Sequence, residues 1–276
     1  MKIVINGKAF VKKYKTGVQR YCIEILKALD NQISNENIEL VVPKYCNIEE
    51  KQYSNIKIIK YGKMNINLWE QIELPIYANK QNALIVNLCN TSPLINPGIV
   101  CIQDINCIKN KKYYPLIFRN WYKIMMNNSI KKAKRIITVS NFSKNEIEEW
   151  YKIKNVEVVY NSYEHILRIN ADENVFDRIK TIKKGKYFFT LGTVQKNKNI
   201  DWILNVAKNN QDKTFVISGY MNQNGINLNL DNVIYTGYLT DEEIKELMKY
   251  CIAYIMPSFY EGFGLPPLEA FSLGKN

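Results

Sequence analysis

Short apolar runs recur along the chain and alternate with segments whose apolar residues follow helical spacing. Continuous apolar runs of this kind are typical of strands covered on both faces, and strands alternating with helices favour parallel, doubly wound sheets. Strands are predicted at residues 2–5, 38–42, 56–59, 84–87, 99–103, 136–139, 156–160, 187–191, 215–218, 233–236 and 253–256. Helical stretches are predicted at residues 18–29, 69–77, 116–134, 141–151, 200–207 and 240–248.

One stretch interrupts this alternation and suggests two domains. Residues 166–186 are polar and charged without a long apolar run, which predicts a linker with a peripheral helix. The fold class is therefore α/β, with Rossmann-like domains at 1–165 and 187–276. No further strand follows the helix that begins near Leu265, so the second domain is expected to be incomplete, as in a truncated protein.

Composition narrows the classes of protein. Hydrophobic residues at 46% and charged residues at 23% are globular values. No segment resembles a membrane span or a signal peptide, and six scattered cysteines with a single histidine argue against a zinc or disulfide framework. A cytoplasmic protein with reduced thiols is expected.

The net charge of +12 leaves several interpretations open. Lysines occur in small groups without a nucleic-acid motif, so no nucleic-acid partner is predicted. The charge fits anionic substrates or a peripheral contact with an anionic membrane at its inner face, or it reflects solvated faces of a lysine-rich chain.

The stretch from Pro257 to Ala270 is the richest in candidate chemistry. An apolar run leads into a turn with Gly262 and Gly264, and a helix is predicted to begin at the prolines that follow. Free amides at such a helix start favour a phosphate, whereas Glu261 and Glu269 are suited to accept hydrogen bonds from sugar hydroxyls. The alternative is a solvated loop acid followed by a helix-start charge.

Other candidates lie at the ends of predicted strands or the beginnings of helices. Gly17 would let a ligand approach the first helix closely, or it is an ordinary loop glycine. Gln103 and Asp104 end a strand, where ligands bind in doubly wound sheets, although Asp104 also fits a turn acid. Lys198 would neutralise a diphosphate, or it is a surface lysine. His165 lies in a polar loop and is given no role.

The run Pro-Ser-x-Tyr-Glu-Gly-Phe-Gly-Leu-Pro-x-Leu-Glu-Ala resembles the Glu-x7-Glu signature of the retaining glycosyltransferases of family 4. The run Thr-Gly-Val-Gln-Arg-Tyr, from Thr16, is similar to that family's N-terminal donor-facing loop, and Gly192 to Asn199 is similar to its donor-phosphate loop. Where the family commonly has His-Asp, this chain has Gln103-Asp104, so proton chemistry by a histidine there is not expected. The resemblance implies the GT-B fold, in which two Rossmann-like domains face a cleft.

The resemblance also implies an activity. A hexose-type sugar would move from a nucleotide-sugar donor to a glycan or polyprenyl-linked acceptor, with retention of anomeric configuration, in surface or capsular polysaccharide synthesis. Glu261 would hold the donor sugar, Glu269 the ribose and Lys198 the diphosphate, while the backbone near Leu239 would pack against the base. Neither a cofactor nor a metal is expected. The implied catalytic residues are Glu261 and Lys198, and the implied donor-binding residues are Gly17, Gln103, Asp104, Lys198, Leu239, Glu261, Gly262, Phe263, Gly264 and Glu269.

Three other functions stay open at this stage. The first is a non-catalytic remnant that binds a nucleotide sugar. The second is a nucleic-acid-binding protein, which only the charge suggests. The third is a nucleotide-sugar epimerase, which is related by fold. Donor turnover separates the first from an enzyme, steep salt dependence identifies the second, and release of altered sugar without an acceptor identifies the third.

Overall fold

The structure is a computed structural model that describes residues 1–11, 16–34, 37–49, 51–192, 195–219 and 230–275. The chain divides into two compact units, Met1–Asn161 and Ser162–Asn276. Both are built on parallel sheets, as the alternating pattern predicts.

The first unit contains a seven-stranded parallel sheet with the order β3-β2-β1-β4-β5-β6-β7. The order reverses between β1 and β4, which makes this sheet doubly wound and places its topological switch point there. Its strands are β1 (Lys2–Asn6), β2 (Ile38–Val42), β3 (Lys57–Lys60), β4 (Ala83–Asn87), β5 (Ile99–Cys101), β6 (Arg135–Thr138) and β7 (Glu157–Val158).

Helices connect these strands, and apolar residues from both element types form the core. All five residues of β2 are buried, including Glu39, whose carboxylate accepts a hydrogen bond from the hydroxyl of Tyr77 at 2.7 Å. None of the helices in the described ranges combines the length and apolar character that a bilayer crossing requires. The helices of this unit are α1 (Gly17–Gln32), α2 (Ile66–Leu68), α3 (Leu74–Lys80), α4 (Asn106–Lys109), α5 (Leu116–Lys132) and α6 (Asn141–Tyr151), with a π-helical turn at Trp69–Glu73.

The second unit contains a three-stranded parallel sheet with the order β10-β9-β8. Its strands are β8 (Tyr187–Leu191), β9 (Thr214–Ser218) and β10 (Val233–Gly237). Its helices are α7 (Glu164–Arg168), α8 (Val175–Arg178), α9 (Ile200–Asn209), α10 (Asp241–Tyr250) and α11 (Leu265–Ser272).

The strand predicted at residues 253–256 is only partly formed. Tyr254 makes a single parallel bridge to Phe189 of β8, and the segment is half-buried. Backbone hydrogen bonds join Phe189 to Ala253 and Ile255 at 3.0 and 2.8 Å. The apolar run therefore lies along the edge of the sheet, where one short pairing does not make a full strand.

The boundary between the units lies before the predicted linker. Residues 166–186 belong to the second unit, where Val175 and Ile182 are buried against Tyr187 and Leu247. The prediction of a linker at 166–186 is therefore not what the fold shows. Scattered apolar residues anchor this segment, and a search for long apolar runs does not detect them; they are Ile166, Val175, Phe176, Ile179 and Ile182.

Candidate functional site

The structure brings Lys198 and Glu261 into direct contact. Lys198 ends a 3₁₀ turn at Lys196–Lys198, and its Nζ lies 2.6 Å from Oε1 of Glu261. The two side chains are 28% and 23% exposed, so the pair is accessible to a ligand from solvent. Residues 63 positions apart in sequence, both predicted for the same site, thus meet in the fold.

Two further contacts fix the loops that carry this pair. The N–H of Phe259 donates to the carbonyl of Asn197 at 2.9 Å, and the Nδ2 of Asn199 donates to the carbonyl of Pro257 at 3.0 Å. Asn199 has a φ of 53°, a conformation that asparagine tolerates better than most residues. The two loops therefore form one structural unit. Thr193 and Val194 of the donor-phosphate loop lie outside the described residues.

The glycine turn leads into α11 as predicted. Gly264 is the N-cap with a φ of +84°, which favours glycine, and prolines occupy the first helical turn. Gly262 and Phe263 are half-buried in the preceding turn. The amides at this end of α11 supply the positive end of the helix dipole beside the Lys198–Glu261 pair.

Glycines mark the carboxyl end of every strand of this unit's described sheet. Gly192 follows β8, Gly219 follows β9, and Gly237 ends β10. A Cβ on Gly219 would lie 1.8 Å from the carbonyl oxygen of Gly192, so the backbones of β8 and β9 approach too closely for a side chain. The sequence analysis did not single out Gly219. Its position directly after a predicted strand was the signal that could have identified it. The N–H groups of Gly192 and Gly219 both donate within the sheet, to Ser218 at 2.8 Å and to Gly237 at 2.9 Å, so these glycines serve the close packing of the strand ends.

Tyr254 is a second residue that the sequence reasoning missed. Its phenol oxygen accepts a hydrogen bond from the N–H of Leu191 at 3.2 Å. Burial and the nearby charges of Glu269 and Glu261 raise the pKa of Tyr254 well above its ordinary value. The phenol therefore stays neutral, and the two carboxylates of the signature lie in the same neighbourhood.

His165 is not the exposed loop residue that its polar surroundings suggest. It lies on α7 with only 5% exposure, and its Nε2 is 2.7 Å from Oε1 of Glu269. The contact is short but lacks the alignment of a regular ring N–H hydrogen bond. Glu269 itself is 5% exposed on α11, so the acid predicted to bind ribose is held deep in the unit. Local polarity did not reveal this because the partner lies about a hundred positions later in the chain.

Leu239 is a core residue of the second unit. Its side chain is buried in the apolar core beside Tyr187, Phe189 and Leu247, whereas the neighbouring Tyr238 is exposed. The prediction that backbone groups near Leu239 face a base is compatible with this placement, but the leucine side chain is committed to the core.

In the first unit, two predicted residues lie close together. Gly17 is the exposed first residue of α1, and a Cβ there would meet no atom within 4 Å. The Nε2 of Gln103 is 3.4 Å from the carbonyl oxygen of Val18 and 3.3 Å from that of Leu88. Gln103 thus orients the beginning of α1. Asp104 accepts a hydrogen bond from the N–H of Asn106 at 2.9 Å, as the turn interpretation of this residue predicts.

Solved structures share this fold. Sucrose-phosphate synthase from Thermosynechococcus elongatus superposes with a TM-score of 0.71 at 13% identity, covering all of this chain and 80% of that one. The HepE protein (Alr3699) of Anabaena, solved in complex with UDP and glucose, gives a TM-score of 0.69 at 15% identity, over 100% and 79% of the two chains. The predicted α/β fold of GT-B type is therefore confirmed.

Sequence comparison reaches a more specific class. Residues 172–276 match the model of the family described as glycosyl transferases group 1. The O-antigen chain mannosyltransferase RfbU of Salmonella typhimurium is 27% identical over 209 residues, which cover 71% of this chain and 55% of that protein. The O-antigen chain mannosyltransferase B of Escherichia coli is 28% identical over 201 residues, covering 64% and 51%. The chain thus spans about half the length of the curated relatives it matches.

Proposed function

We propose that this chain acts as a glycosyltransferase that moves a hexose-type sugar from a nucleotide-sugar donor to a glycan or polyprenyl-linked acceptor. The Lys198–Glu261 contact carries the proposal, because it joins a cation and a carboxylate within the region that matches the family model. The O-antigen mannosyltransferases among the relatives support a role in surface polysaccharide synthesis. The transfer would keep the anomeric configuration of the donor sugar.

In the proposed reaction, negative charge develops on the departing diphosphate, and the site must stabilise this charge. A donor diphosphate would compete with Glu261 for Lys198, while the amides at the beginning of α11 would bind further phosphate oxygens. Glu261 would exchange its lysine contact for hydrogen bonds from sugar hydroxyls. Glu269 would accept hydrogen bonds from the ribose, and the backbone beside Leu239 would contact the base.

The residues of the first unit have positioning roles in this proposal. Gly17 leaves space for a ligand at the helix start, and Gln103 holds the adjacent carbonyl of Val18. An amide cannot act as an acid or base near neutral pH, so no protein base is assigned there. Asp104 would accept a hydrogen bond from the donor or the acceptor in addition to its turn contact.

We further propose that the protein acts in the cytoplasm, at the inner face of an anionic membrane. The beginning of α5 supports this contact because Leu116 and Ile117 are 64% and 86% exposed. Lys111, Lys112 and Arg119 flank these apolar side chains in the sequence. Exposed apolar side chains with basic residues nearby in the sequence favour binding to an anionic lipid surface.

A transfer assay tests the proposed reaction. Candidate nucleotide sugars are incubated with polyprenyl-linked oligosaccharide acceptors, and mass spectrometry follows the addition of one hexose and the release of the nucleoside diphosphate. NMR of the product is expected to show retention. Activity is expected to persist in a chelator, since no metal is proposed. Donor binding without any turnover would instead favour a non-catalytic nucleotide-sugar-binding protein.

A further inference from the structure

His165 has a buried position that the proposed reaction does not by itself explain. The residue lies on α7, and its neighbour Ile166 is also buried. A buried imidazole requires polar partners, because an unsatisfied ring nitrogen in an apolar environment is costly. The surroundings of its two nitrogens therefore indicate what the side chain does.

Oxygen atoms face both nitrogens of the ring. Nδ1 lies 3.3 Å from the carbonyl oxygen of Ser162, and Nε2 lies 2.7 Å from Oε1 of Glu269. The first contact holds the ring against the segment that precedes α7, and the second reaches across to α11. An imidazole held between these two oxygens is placed to fix the orientation of the carboxylate.

Glu269 needs such a partner. Its side chain is 7% exposed, and a carboxylate removed from water is stable only when it is paired or hydrogen-bonded. The imidazole Nε2 lies 2.7 Å from one carboxylate oxygen without hydrogen-bond alignment, and this close approach limits the positions that the carboxylate can take. The orientation of the carboxylate affects binding most for a ligand with two adjacent hydroxyls, because both hydroxyls must donate to its oxygens at the same time.

We propose that His165 is a positioning residue that orients the Glu269 carboxylate for the hydroxyls of a donor ribose. This inference rests on the proposed function, in which Glu269 binds that ribose. His165 would not touch the reacting atoms. It would set how well the site distinguishes a ribonucleotide from a deoxyribonucleotide.

The experiment compares two ligands that differ only in the ribose. UDP and GDP, with their 2′,3′-dideoxy counterparts, are titrated calorimetrically into the wild type and into the variants His165→Leu and His165→Gln. The ratio of affinities for the ribo and dideoxy forms is the readout. We expect the leucine variant to lower this ratio about tenfold, since the Glu269 carboxylate loses the side chain that orients it. The glutamine variant can place an amide N–H near the position of Nε2, so it should retain most of the ratio.

A purely structural role predicts a different outcome. Loss of packing would lower both affinities and the thermal midpoint together and leave the ratio unchanged, which would overturn the inference. A wild type that binds UDP or GDP with no preference for ribose would also overturn it, while leaving the proposed function intact. A wild type that binds no nucleoside diphosphate would overturn both.

A second background keeps the test decisive if the leucine variant folds poorly. In Glu269→Gln, the change His165→Asn should have no further effect on the ribo-to-dideoxy ratio, because the carboxylate through which His165 acts is gone. In the wild-type background, the same asparagine change should lower the ratio. Equal effects in the two backgrounds would show that His165 does not act through Glu269.

Discussion

At the scale of single residues, Lys198 and Glu261 neutralise each other in a partly exposed pair. Such a pair contributes about 1 kcal/mol or less to folding, so breaking it should change stability little. A mutation of either residue can therefore reveal an effect on ligand binding without a large effect on the free energy of unfolding.

We expect Lys198→Gln to weaken nucleoside diphosphate binding at least about tenfold, because a charge-assisted contact to phosphate is lost. The free energy of unfolding should change by less than about 1 kcal/mol. Isothermal titration and denaturant unfolding measure the two quantities. The control is Lys196→Gln, which removes an exposed lysine two positions earlier and should leave affinity within about twofold. Equal losses in both variants would assign the effect to net charge alone.

Gly219 offers a prediction that concerns the sheet edge. Alanine at this position would place its Cβ 1.8 Å from the carbonyl oxygen of Gly192, and the φ of +145° is itself unfavourable for a side chain. We expect Gly219→Ala to destabilise the protein by at least about 2 kcal/mol in denaturant unfolding.

The matched control for this change is Gly185→Ala. Gly185 also has a positive φ, of +73°, but a Cβ there would meet no atom within 4 Å. Its cost should be about 1 kcal/mol, from the backbone conformation alone. A smaller effect at Gly219 than at Gly185 would refute the close approach of β8 and β9.

At the scale of elements, a buried polar cluster occupies the switch point of the first sheet. Asn6 ends β1 and Asn87 ends β4, and the Nδ2 of Asn6 donates to the Oδ1 of Asn87 at 3.0 Å and to the Oε1 of Glu70 at 2.9 Å. Glu70 is fully buried on the π-helical turn and also binds Lys8 at 2.8 Å and Thr91 at 2.7 Å. The cluster joins the strand ends to the turn.

Because Glu70 is buried, Glu70→Ala should remove the carboxylate that pairs with Lys8 and accepts hydrogen bonds from Asn6 and Thr91. We expect a loss of about 3 kcal/mol in the free energy of unfolding. The control is Glu24→Gln, which breaks an exposed pair with Lys27 and should cost less than about 0.5 kcal/mol. Comparable costs for the two variants would contradict the importance assigned to the cluster.

Asp30 connects the end of α1 to the segment before β3. Burial by itself would raise its pKa, but the N–H groups of Ser54, Asn55 and Ile56 donate to the carboxylate at 2.7–2.8 Å and hold the pKa below its usual value. A depressed pKa means that the ionised form stabilises the fold above the unfolded value, near about 4, and that this stability is lost as pH falls through the folded value.

We therefore expect Asp30→Asn to be less stable than the wild type at pH 7 and to lose less stability on acidification. Urea unfolding between about pH 7 and pH 3 measures the difference. Asp212→Asn is the control, since that carboxylate is exposed and its contact with Lys213 is screened. Parallel pH profiles for the wild type and Asp30→Asn would contradict the assignment.

Sequence reasoning succeeded where the signal was local. The apolar run at residues 187–191 forms β8, and the helix predicted at residues 240–248 forms α10, which begins with a capping box of Thr240 and Glu243. It failed where the cause lies far along the chain. Contacts between distant segments explain three features: the contact of His165 with Glu269, the hydrogen bond of Asn6 to Glu70, and the close approach of Gly219 to Gly192. A single sequence contains no local pattern for them.

At the scale of the whole molecule, the net charge of +12 and the exposed apolar start of α5 lead to a prediction about membranes. The wild type should co-sediment with vesicles that contain phosphatidylglycerol and bind less to neutral phosphatidylcholine vesicles. Leu116→Ser combined with Ile117→Ser should reduce this binding, because both exposed apolar side chains are lost. Ile95→Ser, at an exposed site elsewhere in the first unit, is the control. Unchanged binding of the double variant would argue against α5 as the contact.

The claim on which the account depends is that Glu261 recognises the sugar of a nucleotide-sugar donor while Lys198 recognises its diphosphate. Calorimetric titration of a panel of nucleotide sugars, and of their nucleoside diphosphates, into the wild type and Glu261→Gln tests it most directly. The account predicts that the wild type binds at least one nucleotide sugar more tightly than its diphosphate, and that Glu261→Gln loses this preference while still binding the diphosphate. A variant that keeps the preference, or a wild type that binds no donor, would contradict it.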